Sequence, residues 1–140
     1  METHITHSEE ATREVAEEFL STLKGGEVIE LVGDLGSGKT TFVRGLVQAL
    51  GSTARVKSPT FTVMNEYPTQ SEKIKLVVHL DLYRFKEAGQ LEALAINDYI
   101  KPDSIIVIEW PDIFEEPVLR ADRKVMFRHI DEATREIQFV

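Results

Sequence analysis

Eight consecutive residues, Gly33-Asp34-Leu35-Gly36-Ser37-Gly38-Lys39-Thr40, have the types and spacing needed to hold a chain of phosphates: a glycine, four residues, then Gly-Lys-Thr. Gly36 and Gly38 allow positive φ, so successive N–H groups can point into one concavity, assisted by the positive end of a helix beginning near Thr40. The stretch Leu35, Gly36, Ser37, Gly38, Lys39, Thr40 and Thr41 is therefore the expected cradle. Lys39 supplies a mobile ammonium for the outer phosphates and Thr40 a hydroxyl ligand for magnesium, which makes ATP with Mg2+ the expected cofactor pair. Two apolar runs each end in an acid: Leu76-Val77-Val78-His79-Leu80 leads into Asp81, and Ile105-Ile106-Val107-Ile108 into Glu109. At the C-terminal edge of a parallel sheet, either carboxylate could hold magnesium, directly or through water, or orient an attacking water, and spacing does not choose between them.

These residues need a strand before the glycine-rich loop and a helix after it. Val28 to Val32 is short, apolar and β-branched, and it leads straight into Gly33. Phe42, Val43, Leu46, Val47 and Leu50 recur at helical spacing, with Gly51 where a helix C-terminus needs it. An amphipathic helix is expected over Ser8 to Leu23, from Ala11, Val15, Phe19 and Leu23 four apart and Glu9 and Glu10 in the first turn. Phe61, Val63 and Tyr67 suggest a strand that pairs as a hairpin with Ile74 to Leu80 across a turn at Pro68 to Lys73. Residues Glu87 to Ile100 read as helical, weakly broken at Asn97, and Lys101-Pro102-Asp103 ends them before a core strand at Ile105 to Ile108. Lys124 to Ile130 and Arg135 to Val140 read as two strands around a polar turn. The expectation is one domain over residues 1–140, α/β in class, with the three-layer sandwich of P-loop NTPases and a mixed sheet of parallel core and antiparallel additions.

Composition narrows the function. The 140 residues contain no cysteine, which excludes disulfides, thiolate metal sites and cysteine nucleophiles. No apolar run is long enough to span a membrane, and the start of the chain lacks the layout of a secretory signal, so no membrane role and a cytoplasmic address are expected. Twenty-four acidic against 16 basic residues give a formal net charge of −8. That balance disfavours a broad grip on a nucleic-acid backbone and suits docking onto a basic protein patch.

Four motifs in order, GDLGSGKTTFVRG, KSPTF at Lys57 to Phe61, HLDLYR at His79 to Arg84 and IEWP at Ile108 to Pro111, closely resemble those of the TsaE family, the bacterial ATPases of the tRNA threonylcarbamoyladenosine pathway. The resemblance covers about Glu9 to Ile130. It implies that Lys39 and Thr40 contact ATP and magnesium, that Glu109 acts at the metal, and that Asp81 is the second essential acid. It further implies that Ser58-Pro59-Thr60 is a switch loop with Thr60 near the γ-phosphate. Glu9 and Thr12 would lie near the adenine, and the turn at Thr134 and Arg135 would approach the base. Its implied partners are a TsaD–TsaB-like pair that modifies the adenosine next to the anticodon, with tRNA met only through that complex.

Other residues are assigned less. His4 and His7 sit in a terminus expected to fray, without a third ligand nearby in sequence. His79 shares a strand face with Asp81 and reads as a packed strand histidine. Trp110, the only tryptophan, follows Glu109 and is a natural fluorescence reporter. Arg44 and Arg84 are candidates for stabilising transition-state charge. Two functional alternatives stay open at this point. A small-molecule kinase would use the same loop, against which stand the short chain and the lack of an arginine-rich lid. A nucleotide-gated binding module with negligible hydrolysis has no such feature against it.

Overall fold

The computed structural model describes residues 2–34, 36–56, 64–83, 95–110 and 119–140. Seven strands form one sheet: β1 (Glu2–Thr6), β2 (Val28–Val32), β3 (Met64–Pro68), β4 (Leu76–Asp81), β5 (Ser104–Glu109), β6 (Arg123–His129) and β7 (Arg135–Phe139), in the spatial order β1-β7-β6-β2-β5-β4-β3. The inner four, β6-β2-β5-β4, run parallel, while β3, β7 and β1 add antiparallel strands at the two sides. The expected parallel core with antiparallel additions is thus the observed arrangement. Every residue of β5 is buried, as its unbroken apolar run requires of a strand covered on both faces.

Two helices, α1 (Glu9–Leu20) and α2 (Lys39–Ala49), lie against one face, and there Phe19, Phe42, Leu46, Ile29, Leu31 and Ile105 lose all exposure. The helices meet closely because α2 carries Gly45: a Cβ there would stand 2.9 Å from both the Cβ of Ala16 and the Cα of Arg13. On the opposite face Val28, Val78, Leu80, Ile106 and Ile108 form a second apolar layer with Leu82 and Ile96. Ile96 belongs to a single 3-10 turn, Ile96–Tyr99. That turn is all that the described residues retain of the helix expected over Glu87 to Ile100; the remainder, 87–94, lies outside them, as do Phe61 and Val63 of the expected hairpin. The described part of that hairpin pairs as expected, with Tyr67 opposite Val77.

Two differences from the sequence reading have clear causes. The N-terminus does not fray: Glu2–Thr6 pairs antiparallel with β7, and the ring of His4 packs 5.0 Å from that of Phe139. Its Thr-His-Ile-Thr core has the β-branched character of a strand, but an edge strand needs a partner contributed from the far end of the chain. Helix α1 begins where expected, with the Ser8 hydroxyl accepting from the Ala11 N–H at 3.0 Å, yet it stops at Leu20 rather than Leu23. The hydroxyls of Ser21 and Thr22 donate to the Glu18 and Phe19 carbonyls, both at 2.6 Å, and compete with a further helical turn. Leu23 is still fully buried beyond that stop. Among the described residues no helix is long and apolar enough to cross a membrane.

Candidate functional site

The sheet delivers three strand ends side by side. In the register, Leu31 of β2 stands opposite Glu109 of β5, and Glu109 opposite Asp81 of β4. Two residues past Leu31 the chain enters the glycine-rich loop, so the loop and both acids share the C-terminal edge of the parallel core. Gly36 and Gly38 take φ values of 75° and 106°, in the left-handed region that side chains disfavour. Gly38 is the N-cap of α2, whose first residue is Lys39. A Cβ on Gly36 would meet nothing within 4 Å, so the bare backbone there borders open space.

Above the loop lies a cleft of about 430 Å³. Gly36, Gly38, Lys39, Thr40 and Thr41 form its floor, and Asp81, Glu109 and Trp110 come in from the strand ends. His7, Ser8, Glu9 and Thr12 border it from the start of α1, and Glu132, Ala133 and Arg135 from the turn between β6 and β7. Lys39 is 5% exposed; its ammonium donates to the Gly33 carbonyl at 2.5 Å, stands 3.9 Å from Glu109 Oε1, and lies 4.2 Å from the Trp110 ring centre. Burial holds its pKa below the ordinary value of 10.5, with Glu109, Asp81 and Asp34 acting in the opposite direction. Asp81 is 4% exposed, and its Oδ1 accepts from the Tyr83 N–H at 2.9 Å. Glu109 is equally buried, and its Oε2 lies 2.5 Å from Nε2 of His79, which has no exposure at all.

The cleft therefore gathers most of the residues singled out in the sequence: Glu9, Thr12, Gly36, Gly38, Lys39, Thr40, Thr41, Asp81 and Glu109 all line it. Ser37 belongs to the same loop but points inward, 1% exposed, and its Oγ has no hydrogen-bond partner among the described residues. Leu35 and Thr60, with the rest of Lys57 to Phe61, lie outside the described residues, as does Arg84. Arg44 lies on α2 and does not line the cleft.

Sequence reasoning gave too little weight to two residues. Arg135 donates from Nε to the Gly36 carbonyl at 2.9 Å and from Nη1 to the Asp131 and Thr134 carbonyls at 2.7 and 3.0 Å, tying the β6–β7 turn to the glycine-rich loop. No local pattern announces a contact between residues 99 apart in sequence. His79 did carry a signal: it is the one polar residue inside an otherwise apolar strand run, and it lies two positions before Asp81 on the same face. His7, expected to be idle, has Nδ1 at 3.3 Å from the Thr134 hydroxyl at the cleft margin.

A parallel strand that feeds a left-handed glycine loop, a helix opening on a buried lysine, and acids at the ends of the adjacent strands together define a P-loop NTPase-like fold. Residues 6–137 match the family model described as threonylcarbamoyl adenosine biosynthesis protein TsaE. The tRNA threonylcarbamoyladenosine biosynthesis protein TsaE of Bacillus subtilis is 33% identical over 134 residues, covering 96% of this chain and 82% of that protein. Its counterpart from Aquifex aeolicus is 43% identical over 110 residues, 77% of this chain and 75% of that protein. The crystal structure of Bacillus subtilis YdiB superposes with a TM-score of 0.77 at 29% identity, covering 99% of this chain and 83% of that one. The chain belongs to the TsaE family, whose members act in tRNA threonylcarbamoyladenosine biosynthesis.

Proposed function

We propose that this chain binds Mg-ATP over the Gly36–Thr41 loop and hydrolyses it, as the ATPase subunit that supports turnover of the tRNA threonylcarbamoyladenosine modification complex. The observation that carries the reading is the convergence of Lys39, Asp81 and Glu109, each at most 5% exposed, on one cleft floored by left-handed glycines. Three charged side chains held out of water at one point carry a desolvation cost that a packed apolar cluster would not, and such clusters concentrate at functional sites. The donor set suits Mg-ATP: open space beside the Gly36 backbone for phosphate oxygens, a lysine, a threonine hydroxyl and two carboxylates.

Each residue has a task. Amides from Gly36 to Thr41 bind phosphate oxygens, with the N-terminus of α2 adding its positive end. Lys39 turns from the Gly33 carbonyl toward the outer phosphates and stabilises negative charge there. Thr40 and Glu109 hold Mg2+, whose charge, when it is bound, offsets that of the β- and γ-phosphates. Glu109 and Asp81 also stand where one of them can orient the attacking water. Glu9 and Thr12 border the cleft as the base-side contacts. A TsaD–TsaB-like pair is the partner, reached in the cytoplasm, and tRNA is met through that pair; the formal charge of −8 supports protein docking over a direct hold on tRNA.

The test is phosphate release from Mg-ATP by the chain alone and with the partner pair and tRNA, followed by reconstitution of the modification with and without this protein. Stimulated release together with dependence of the modification on this chain is expected. Transfer of phosphate to a small acceptor would make it a kinase, and binding without release under any condition would make it a nucleotide-gated switch.

A further inference from the structure

His79 has no exposure, yet it carries two ring nitrogens into a strand run that is otherwise apolar, with Val78 and Leu80 beside it, Val107 opposite it on β5 and Asn65 opposite it on β3. An aliphatic side chain would fill such a place without the cost of burying polar atoms, which a hydrogen bond must offset. The partner is Glu109: Nε2 lies 2.5 Å from Oε2, while Nδ1 has no partner among the described residues. A carboxylate oxygen accepts, so the short contact is made by the ring donating from Nε2 to Oε2. The other oxygen of the same carboxylate, Oε1, is left on the Lys39 side, 3.9 Å from the ammonium and too far for a hydrogen bond. The His79 bond is thus the contact that decides how the Glu109 carboxylate is turned.

We propose that His79 is a positioning residue for Glu109: its Nε2–H holds Oε2 so that Oε1 is presented to the cleft in one orientation before ligand arrives. The inference rests on the role of Glu109 given above. A glutamate has three rotatable bonds, and only a carboxylate already turned toward the metal avoids reorganising during each reaction cycle. Partners that orient a metal-ligating carboxylate are worth about 10- to 100-fold in activity or metal affinity when removed. His79 does not line the cleft, so its removal is expected to lower kcat and leave nucleotide binding, assigned above to the loop amides and Lys39, nearly unchanged.

The experiment compares His79→Leu, His79→Asn and His79→Gln with wild type, using the full chain, Mg-ATP and the partner pair. It reads kcat and KM from phosphate release, ATP affinity from Trp110 fluorescence, and melting temperature. His79→Leu is expected to lower kcat by about 10- to 100-fold while ATP affinity moves by less than about 3-fold. His79→Gln, whose amide N–H reaches toward the Nε2 position, is expected to recover most of the rate, and the shorter His79→Asn is not. If the leucine variant does not fold, the comparison of glutamine with asparagine carries the test. Glu109→Ala is run in parallel. Wild-type kcat in both Glu109→Ala and His79→Leu overturns the hydrolytic reading and this inference with it. An inactive Glu109→Ala beside a fully active His79→Leu, or glutamine and asparagine variants of equal rate, overturns the inference alone.

Discussion

Lys39→Met separates a lysine kept for its ligand from a lysine kept for the fold. Methionine preserves most of the unbranched stem and removes the charge and all three donors. In the described structure one donor goes to the Gly33 carbonyl and the ammonium sits 3.9 Å from Glu109, so up to two donors remain for phosphate oxygens. A hydrogen bond to a charged group contributes about 1.5–3 kcal/mol, and part of two such bonds is lost again in leaving Gly33, so a net loss of about 3 kcal/mol, or roughly 100-fold in ATP affinity, is expected. The free protein should behave differently. Burial depresses the lysine pKa more than Glu109, Asp81 and Asp34 raise it, which means that the folded site disfavours the ammonium relative to the unfolded chain. The sign follows: the unfolded chain holds this proton more tightly, so the charged lysine opposes folding below its folded pKa, and that opposition fades as pH rises toward 10.5. Lys39→Met should therefore melt no lower than wild type at neutral pH and should lose this alkaline gain in stability. Calorimetric titration with Mg-ATP and thermal melts across pH are the assays. A melting temperature that falls in step with affinity would make the lysine structural, and unchanged affinity would remove it from the phosphate site.

Other perturbations test separate parts of the argument. Phosphates would favour the charged form of Lys39, so ATP binding should take up a proton at alkaline pH and weaken as pH rises through the depressed lysine pKa; calorimetry in buffers of differing ionisation heat measures the uptake. Glu109→Gln should keep ATP binding within about 10-fold while phosphate release falls by about 100-fold or more, because the carboxylate acts at the metal and not on the phosphate cradle. Gly45→Val should destabilise the protein by about 1–3 kcal/mol, read by chemical denaturation, because its Cβ starts 2.9 Å from Ala16 and from the Arg13 backbone. Arg135→Ala should weaken ATP binding several-fold through a looser glycine loop, with a small change in melting temperature, since the arginine is only half-buried and bonds chiefly to the turn and to Gly36.

Much of the fold was legible because its signals are local. Largely apolar runs marked β4 and β5, helical spacing marked α2, and the step from Val32 into Gly33 marked the loop. Strand β1 was missed for the opposite reason: Glu2–Thr6 is a strand only because β7, contributed by the other end of the chain, pairs with it. The same holds within the site. Asp81 and Glu109 announce themselves by ending apolar runs, whereas the Arg135 contact with Gly36 depends on where the β6–β7 turn comes to rest. The His79–Glu109 bond crosses from β4 to β5 and is set by the register of two strands, which one strand's pattern does not specify.

That register is also why folding and chemistry are inseparable in this molecule. Neighbouring strands stand about 4.8 Å apart and side chains alternate between faces with a period of two. With Leu31, Glu109 and Asp81 in one row across β2, β5 and β4, both acids fall on the face of the sheet that carries α1 and α2, next to the loop leaving β2. A slip of β5 by one residue would turn Glu109 to the opposite face and bring Ile108 into its place. The same slip would exchange Ile105 and Val107, which face the helices, for Ile106 and Ile108, which belong to the second apolar layer. Because β5 is apolar on both faces, hydrophobicity alone discriminates poorly between the two registers; the polar end of the strand, Glu109 bonded to His79, makes the slipped register costly by leaving a buried imidazole without its acid. The acid proposed to act on the metal is in this way also a pin that holds the sheet in the register its own chemistry needs.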